Sequence, residues 1–150
     1  MNVFPSVMMI LYLSAVPAFA ALGGDAASID SDVAQMRASR GVEQTDAYTV
    51  HQLKTQSGTM VREYLSPSGK VFAVSWQGQF VPDMQQLLGT YFDKYSAAVK
   101  ANKEAHIGRH PLDLQLPGLA VQMNGYARNF HFRAYIPQRV PAAAKLGDIQ

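Results

Sequence analysis

Thr59-Met60-Val61-Arg62-Glu63-Tyr64-Leu65-Ser66-Pro67-Ser68-Gly69-Lys70-Val71-Phe72-Ala73-Val74-Ser75-Trp76 decides the fold. Two runs rich in β-branched and aromatic residues flank Ser66-Pro67-Ser68-Gly69, a turn by its chemistry. The period of a strand predicts that Phe72, Val74 and Trp76 face one way and Val71, Ala73 and Ser75 the other. Upstream, Tyr48-Thr49-Val50-His51-Gln52-Leu53 reads as another strand, closed by the turn Gln56-Ser57-Gly58. Three strands with tight turns form an antiparallel meander.

On the C-terminal side of the meander the period changes from two to 3.6. Pro82 suits the first position of a helix. Met84, Leu87, Leu88, Tyr91, Phe92, Tyr95 and Val99 then recur at three- and four-residue spacing, an apolar stripe about four turns long, with Gln86 among the polar positions. Gly89 costs about 1 kcal/mol relative to Ala inside a helix, and close helix–sheet approach is the expected reason for it. Leu112–Leu116, Leu119–Met123 and Arg128–Ile136 read as strands, with turns at Pro117-Gly118 and Asn124-Gly125. Before the meander, Ser28 as N-cap and Ile29, Val33 and Met36 at helical spacing predict a short helix over 29–39, ended by Gly41.

The expected architecture is α+β: an antiparallel sheet of about five strands, one long amphipathic helix on one face and a short N-terminal helix. Residues 21–45 are a segment with a flexible start, Leu22-Gly23-Gly24, and the short helix. Residues 46–137 form the globular domain. Residues 138–150 are a tail, unstructured or loosely docked.

Residues 1–20 read as an address. Val7-Met8-Met9-Ile10-Leu11-Tyr12-Leu13 carries no charge, Pro17 breaks the run, and Ala18-Phe19-Ala20 supplies a small-x-small cleavage site. The run is shorter than the roughly 20 residues that span a bilayer. The n-region lacks Lys and Arg. This pattern predicts a signal peptide cleaved after Ala20, and a periplasmic or secreted protein without a transmembrane anchor.

Of 150 residues, 13 are Lys or Arg and 11 Asp or Glu, giving a net charge of +2. Such a scattered, nearly balanced set lacks the basic footprint of a nucleic-acid binder. There is no Cys, which excludes disulfides, thiolate metal sites, a Cys nucleophile and a lipid-bearing Cys.

Several phrases occur together and in order: Ala21-Leu22-Gly23-Gly24, Gly58-Thr59-Met60-Val61-Arg62-Glu63-Tyr64, the run Gly69 to Gly78, Pro82-Asp83, Leu87-Leu88-Gly89-Thr90-Tyr91-Phe92, Arg133-Ala134-Tyr135-Ile136-Pro137 and Asp148-Ile149-Gln150. By these the chain resembles a bacterial secreted family catalogued as domain of unknown function 2844. The resemblance runs through nearly the whole mature chain. It implies a bacterial, exported, single-domain protein, and it implies no activity.

Candidate chemistry is sparse. His106 and His110 have the i, i+4 spacing of a zinc helix, but Ile107-Gly108-Arg109 lies between them and Pro111 follows, which reads as a solvated loop. No Ser stands in a nucleophile elbow, and no phosphate loop is present. Arg62-Glu63 is different. Neighbours on a strand point to opposite faces, so one charge is drawn into apolar company and needs a partner. Arg128 or Arg133 is the expected partner for Glu63, in a salt bridge at the sheet edge. His131 shares a strand face with Arg133.

The residues expected to contact a ligand or partner are therefore His51, Glu63, Tyr126, His131 and Arg133. No catalytic residue, metal ligand or cofactor site is assigned. The leading expectation is a small non-enzymatic binding or assembly module of the cell envelope, with a protein or envelope-component partner. A periplasmic hydrolase using His51 or His131 with Glu63, and a structural subunit of an envelope or surface assembly, are the alternatives.

Overall fold

A computed structural model describes residues 22–105, 111–126 and 128–150. The signal segment, together with His106 and His110, lies outside the described residues. The chain folds as one antiparallel sheet of seven strands with helices against one face, in the order β1-β2-β3-β4-β7-β6-β5. The strands are β1 (Ser39–Gln44), β2 (Thr49–Lys54), β3 (Met60–Leu65), β4 (Val71–Gly78), β5 (Leu112–Leu116), β6 (Leu119–Tyr126) and β7 (Asn129–Tyr135). The helices are α1 (Ala26–Met36), α2 (Met84–Leu88) and α3 (Phe92–Ala105). Among the described residues no helix is long and apolar enough to cross a membrane.

The count of about five strands is corrected to seven. β1 escapes a hydrophobic pattern search because all six of its residues are exposed. Backbone pairing with β2 makes it a strand, from Ser39 opposite Lys54 to Gln44 opposite Thr49. The helix before it starts and ends earlier than expected. Asp25 is its N-cap, accepting from Ser28 N, while Arg37 in the left-handed region ends it. Gly41 lies within β1.

The helix side of the sheet carries the larger core. Leu53, Val61, Val74, Trp76, Val121, Phe132 and Ala134 project from the strands, and Ile29, Leu87 and Leu88 meet them from the helices. Met84, Tyr91, Phe92 and Tyr95 pack around these. Tyr95 sets its ring edge-on to Phe132 at 6.0 Å, and Phe132 stacks on Trp76 at 6.0 Å. The expected stripe thus meets Val74 and Trp76, but Phe72 is on the opposite face. Leu65 pairs with Val71 and Tyr64 with Ala73, leaving Phe72 as an extra residue in the ladder. Such a bulge resets the alternation and turns Phe72 towards Tyr48 and Tyr64, whose rings lie 5.8 and 6.2 Å away.

The long helix is interrupted. Asp83, not Pro82, opens α2, capping it through Gln86 N, and Gly89 closes it at φ 49°, ψ −122°. A 3-10 turn at Gly89–Tyr91 then leads into α3. Gly89 therefore serves a bend that an L side chain resists. Asn124-Gly125 is not the turn of the last hairpin. Gly125 lies within β6 opposite Phe130, where an added Cβ would fall 2.4 Å from Asn129 O. The strand continues to Tyr126, and Arg128 takes the positive φ of 73°.

Neither Leu22-Gly23-Gly24 nor the C-terminal segment is loose. Leu22 is buried, its N–H donating to Leu87 O, while Gly23 N donates to Val71 O and Val71 N to Gly24 O. The tail covers the second face, where Ile149 joins Tyr48, Val50, Tyr64, Phe72, Ala73, Ala120 and Tyr135.

Leu88 is fully buried, so Leu88→Ala should cost about 2–5 kcal/mol in urea unfolding. Gly125→Ala should destabilise at least as strongly, because main chain rather than a movable side chain occupies the space. Wild-type midpoints for both would contradict the packing described.

Candidate functional site

The expected contact residues divide between the two sheet faces. His51 and Glu63 are cross-strand partners in the β2–β3 register and share the helix side with Leu53 and Val61. His131 and Arg133 alternate with Phe132 and Ala134 on β7 and so face the tail side. Tyr126 ends β6, and its side chain lies outside the described residues. Glu63 and His131 are thus not brought together.

Glu63 is fully buried, and Arg133 is not its partner. Arg133 instead donates through Nε to Gln122 Oε1 at 2.7 Å and through Nη1 to Leu146 O at 2.7 Å. Glu63 meets another acid, Asp32, which α1 delivers fully buried. Gln86 Nε2 of α2 donates to Asp32 Oδ1. Counted as carboxylates, Glu63 Oε1 and Oε2 and Asp32 Oδ2 lack any donor. Held as an acid, Glu63 donates to Asp32, and one shared proton resolves the conflict. Burial, reinforced by the hydrogen bond to Asp32 and by its charge, pushes the Glu63 carboxyl up to about 9. Burial raises Asp32 as well, opposed by the hydrogen bonds from Glu63 and Gln86. Burial lowers His51, and Arg40 beside it acts in the same direction. Arg40 itself pairs with Asp30 at 2.5 Å.

The sequence pattern pointed to a charge in apolar company at Glu63. It gave no sign of Asp32 as the partner. With both carboxyls fully buried, this pair acts inside the molecule, joining α1, β3 and α2. Among the described residues no three His, Cys, Asp or Glu side chains are grouped to hold a metal ion.

A concave site lies where the first described residues meet the α2–α3 bend. A cleft of about 450 Å³ is lined by Gly23, Gly24, Gly89, Thr90, Tyr91 and Arg139, with Leu22 and Gln85. The backbone bonds from Leu22 and Gly23 to Leu87 and Val71 fix one wall. A Cβ on Gly23 would stand 3.5 Å from both Arg139 Nη1 and Tyr91 Cε2, so the guanidinium and the ring flank the glycine. Arg139 is exposed, and its guanidinium makes no hydrogen bond or ion pair with the described residues. None of these residues was singled out as a contact residue from sequence. The only signal was indirect: Leu22-Gly23-Gly24 and Gly89-Thr90-Tyr91 belong to the phrases that carry the family resemblance.

The acid pair predicts a pH dependence. A carboxyl raised from its ordinary 4.5 to about 9 keeps its proton longer in the folded than in the unfolded chain. Its contribution to stability is complete below about 4.5 and falls as pH rises towards about 9, by at most about 1.4 kcal/mol per pH unit. Glu63→Gln should flatten that fall in urea unfolding measured between pH 5 and 9, and parallel profiles would refute the shared proton. Gln86→Ala, which the helical pattern alone would make harmless, should destabilise by leaving Asp32 without its donor.

Among curated proteins and among solved structures, nothing matches the chain. The family model described as Protein of unknown function (DUF2844) matches residues 18–149; the chain belongs to that family.

Proposed function

We propose that the chain is an exported, non-enzymatic binding module of the bacterial cell envelope, whose cleft at Gly23, Gly89 and Arg139 holds an envelope component. Export rests on the apolar run ending in Ala18-Phe19-Ala20. The observation that carries the binding role is the composition of the cleft. Glycines at the rim let a ligand approach main chain closely. Tyr91 offers an apolar face, and Arg139 offers a guanidinium uncommitted among the described residues. A few polar groups beside apolar surface is the usual make-up of a ligand pocket. The ligand chemistry that fits is an anionic group, carboxylate or phosphate, attached to an apolar or ring-bearing body.

A hydrolase built on His131 with Glu63 draws no support from this geometry, and one built on His51, which does stand opposite Glu63, would need an acid that substrate can reach. Glu63 is fully buried, and His131 lies on the other face of the sheet. A structural subunit is favoured by one observation, the exposure of the whole of β1 at the sheet edge. Against it, Arg40, Gly41 and Glu43 are residues that discourage edge-to-edge pairing.

The test is recovery of the exported protein from its native envelope, with mass spectrometry of what remains bound. Arg139→Ala should reduce the bound component by roughly tenfold or more, the scale of one lost charge-assisted hydrogen bond. Thr90→Arg should reduce it by filling the cleft. Melting temperatures should not change. Equal recovery from wild type and both variants would reject the cleft as the binding site.

A further inference from the structure

The segment Leu146–Gln150 lies on the sheet face opposite the helices in the manner of a bound peptide. Its main chain is held by side chains of the sheet. Arg133 Nη1 donates to Leu146 O at 2.7 Å and to Ile149 O at 3.3 Å. Gln150 O accepts from Ser75 Oγ at 2.5 Å, Arg62 Nη1 at 2.9 Å and Tyr64 OH at 3.1 Å. Gln150 N donates back to Tyr64 OH at 3.0 Å. These groups stand on β3, β4 and β7, three adjacent strands whose positions are set by the sheet.

Only one side chain of the segment is read. Ile149 is 1% exposed, set against an apolar and aromatic patch that includes Tyr48, Tyr64, Phe72 and Tyr135. Leu146, Gly147, Asp148 and Gln150 are exposed. The one side-chain hydrogen bond from this segment, Gln150 Nε2 to Gly147 O, stays within it. Main-chain contacts supply affinity for a peptide of any sequence, and one pocket supplies selectivity, which is the division of labour in peptide-recognition grooves. The groove also continues past the tail. A cavity of about 430 Å³ adjoins Gly147 and Gln150 and is lined by Gln122, Asn124, His131 and Arg133.

We propose that this face is a peptide-binding site, filled in cis by Leu146–Gln150, in which Leu146–Asp148 form a single 3-10 turn, and that in trans it takes a segment of another polypeptide in the same turn conformation. That segment presents a branched aliphatic residue at the Ile149 position and continues over His131 and Asn124. The tethered tail competes at an effective concentration in the millimolar range, so a partner binds when the tail is displaced. The site lies on the opposite sheet face from the cleft at Arg139, and neither proposal depends on the other.

The experiment severs the connection while keeping the whole chain. A protease site is placed at Ala142-Ala143, both exposed, and the protein is cleaved. A fluorescent peptide with the sequence Lys145–Gln150 is then titrated in and followed by anisotropy, with mass and circular dichroism measured in parallel. The cleaved protein should stay folded, release its tail fragment and bind the peptide one to one. Aspartate in place of the isoleucine should weaken the peptide by roughly tenfold or more, since burial of that side chain is lost. Arg133→Ala in the cleaved protein should weaken the wild-type peptide similarly, and uncleaved protein should bind it far more weakly. A folded, tail-free protein that ignores the peptide, or binds the aspartate form equally, overturns the proposal. Unfolding on loss of the tail overturns it too, because the segment would then be core. A dimer holding two exchanged tails overturns it by making a second copy the occupant.

Discussion

β4 has to be buried on both faces, and the rest of the structure follows from that constraint. Val71 to Trp76 are six consecutive buried residues, the signature of a strand with no solvated side. Helices alone cover one face. Leu87, Leu88 and Ile29 close over Val74 and Trp76, and the stacking of Trp76 on Phe132 ties β4 to β7 within the same layer. The other face needs a second cover. The bulge at Phe72 gathers three rings there, with Tyr48 and Tyr64 at 5.7 Å and Phe72 close to both. The C-terminal segment supplies the missing layer through Ile149.

Covering the helix side has a cost at Asp32 and Glu63. Closing α1 over the β2–β3 ribbon takes two carboxyls out of water with Gln86 as the only donor among the described residues. A proton kept on Glu63 makes the pair tolerable, which couples the seating of α1 to pH. The tail side meets its own polar demand differently. Arg62, Ser75 and Arg133 lie side by side across the sheet, and each donates to a main-chain carbonyl of the tail. One face is therefore sealed by side-chain packing and a shared proton, and the other by a segment with a single apolar anchor.

The meander, the apolar stripe and the α+β class were legible because period and turn chemistry act locally. Ser66-Pro67-Ser68-Gly69 and Gln56-Ser57-Gly58 mark the turns that join β2, β3 and β4. β1 was not legible, since Ser39-Arg40-Gly41-Val42-Glu43-Gln44 has no apolar alternation and owes its form to β2. Phe72 was assigned to the wrong face because a bulge is a property of two paired strands, invisible in one. At Glu63 the burden of a buried charge was readable, but its partner was not: Asp32 reaches it only through the docking of α1. Arg139 and Ile149 stand in short, irregular segments where periodicity says nothing. The cleft and the groove are both tertiary, and both lie where the sequence read as a flexible start or a loose tail.

The central claim is that the second face of β4 is covered by a segment that can leave without unfolding the sheet. Native-state hydrogen exchange, resolved by residue over a series of low denaturant concentrations, tests this directly at the Gln150 amide, which donates to Tyr64 OH. The account predicts exchange there through a local opening, with little denaturant dependence, while ladder amides of β3, β4 and β7 exchange only with global unfolding. Exchange of Gln150 with the same free energy and denaturant slope as the ladder would show the tail to be an inseparable part of the core, and would contradict the claim.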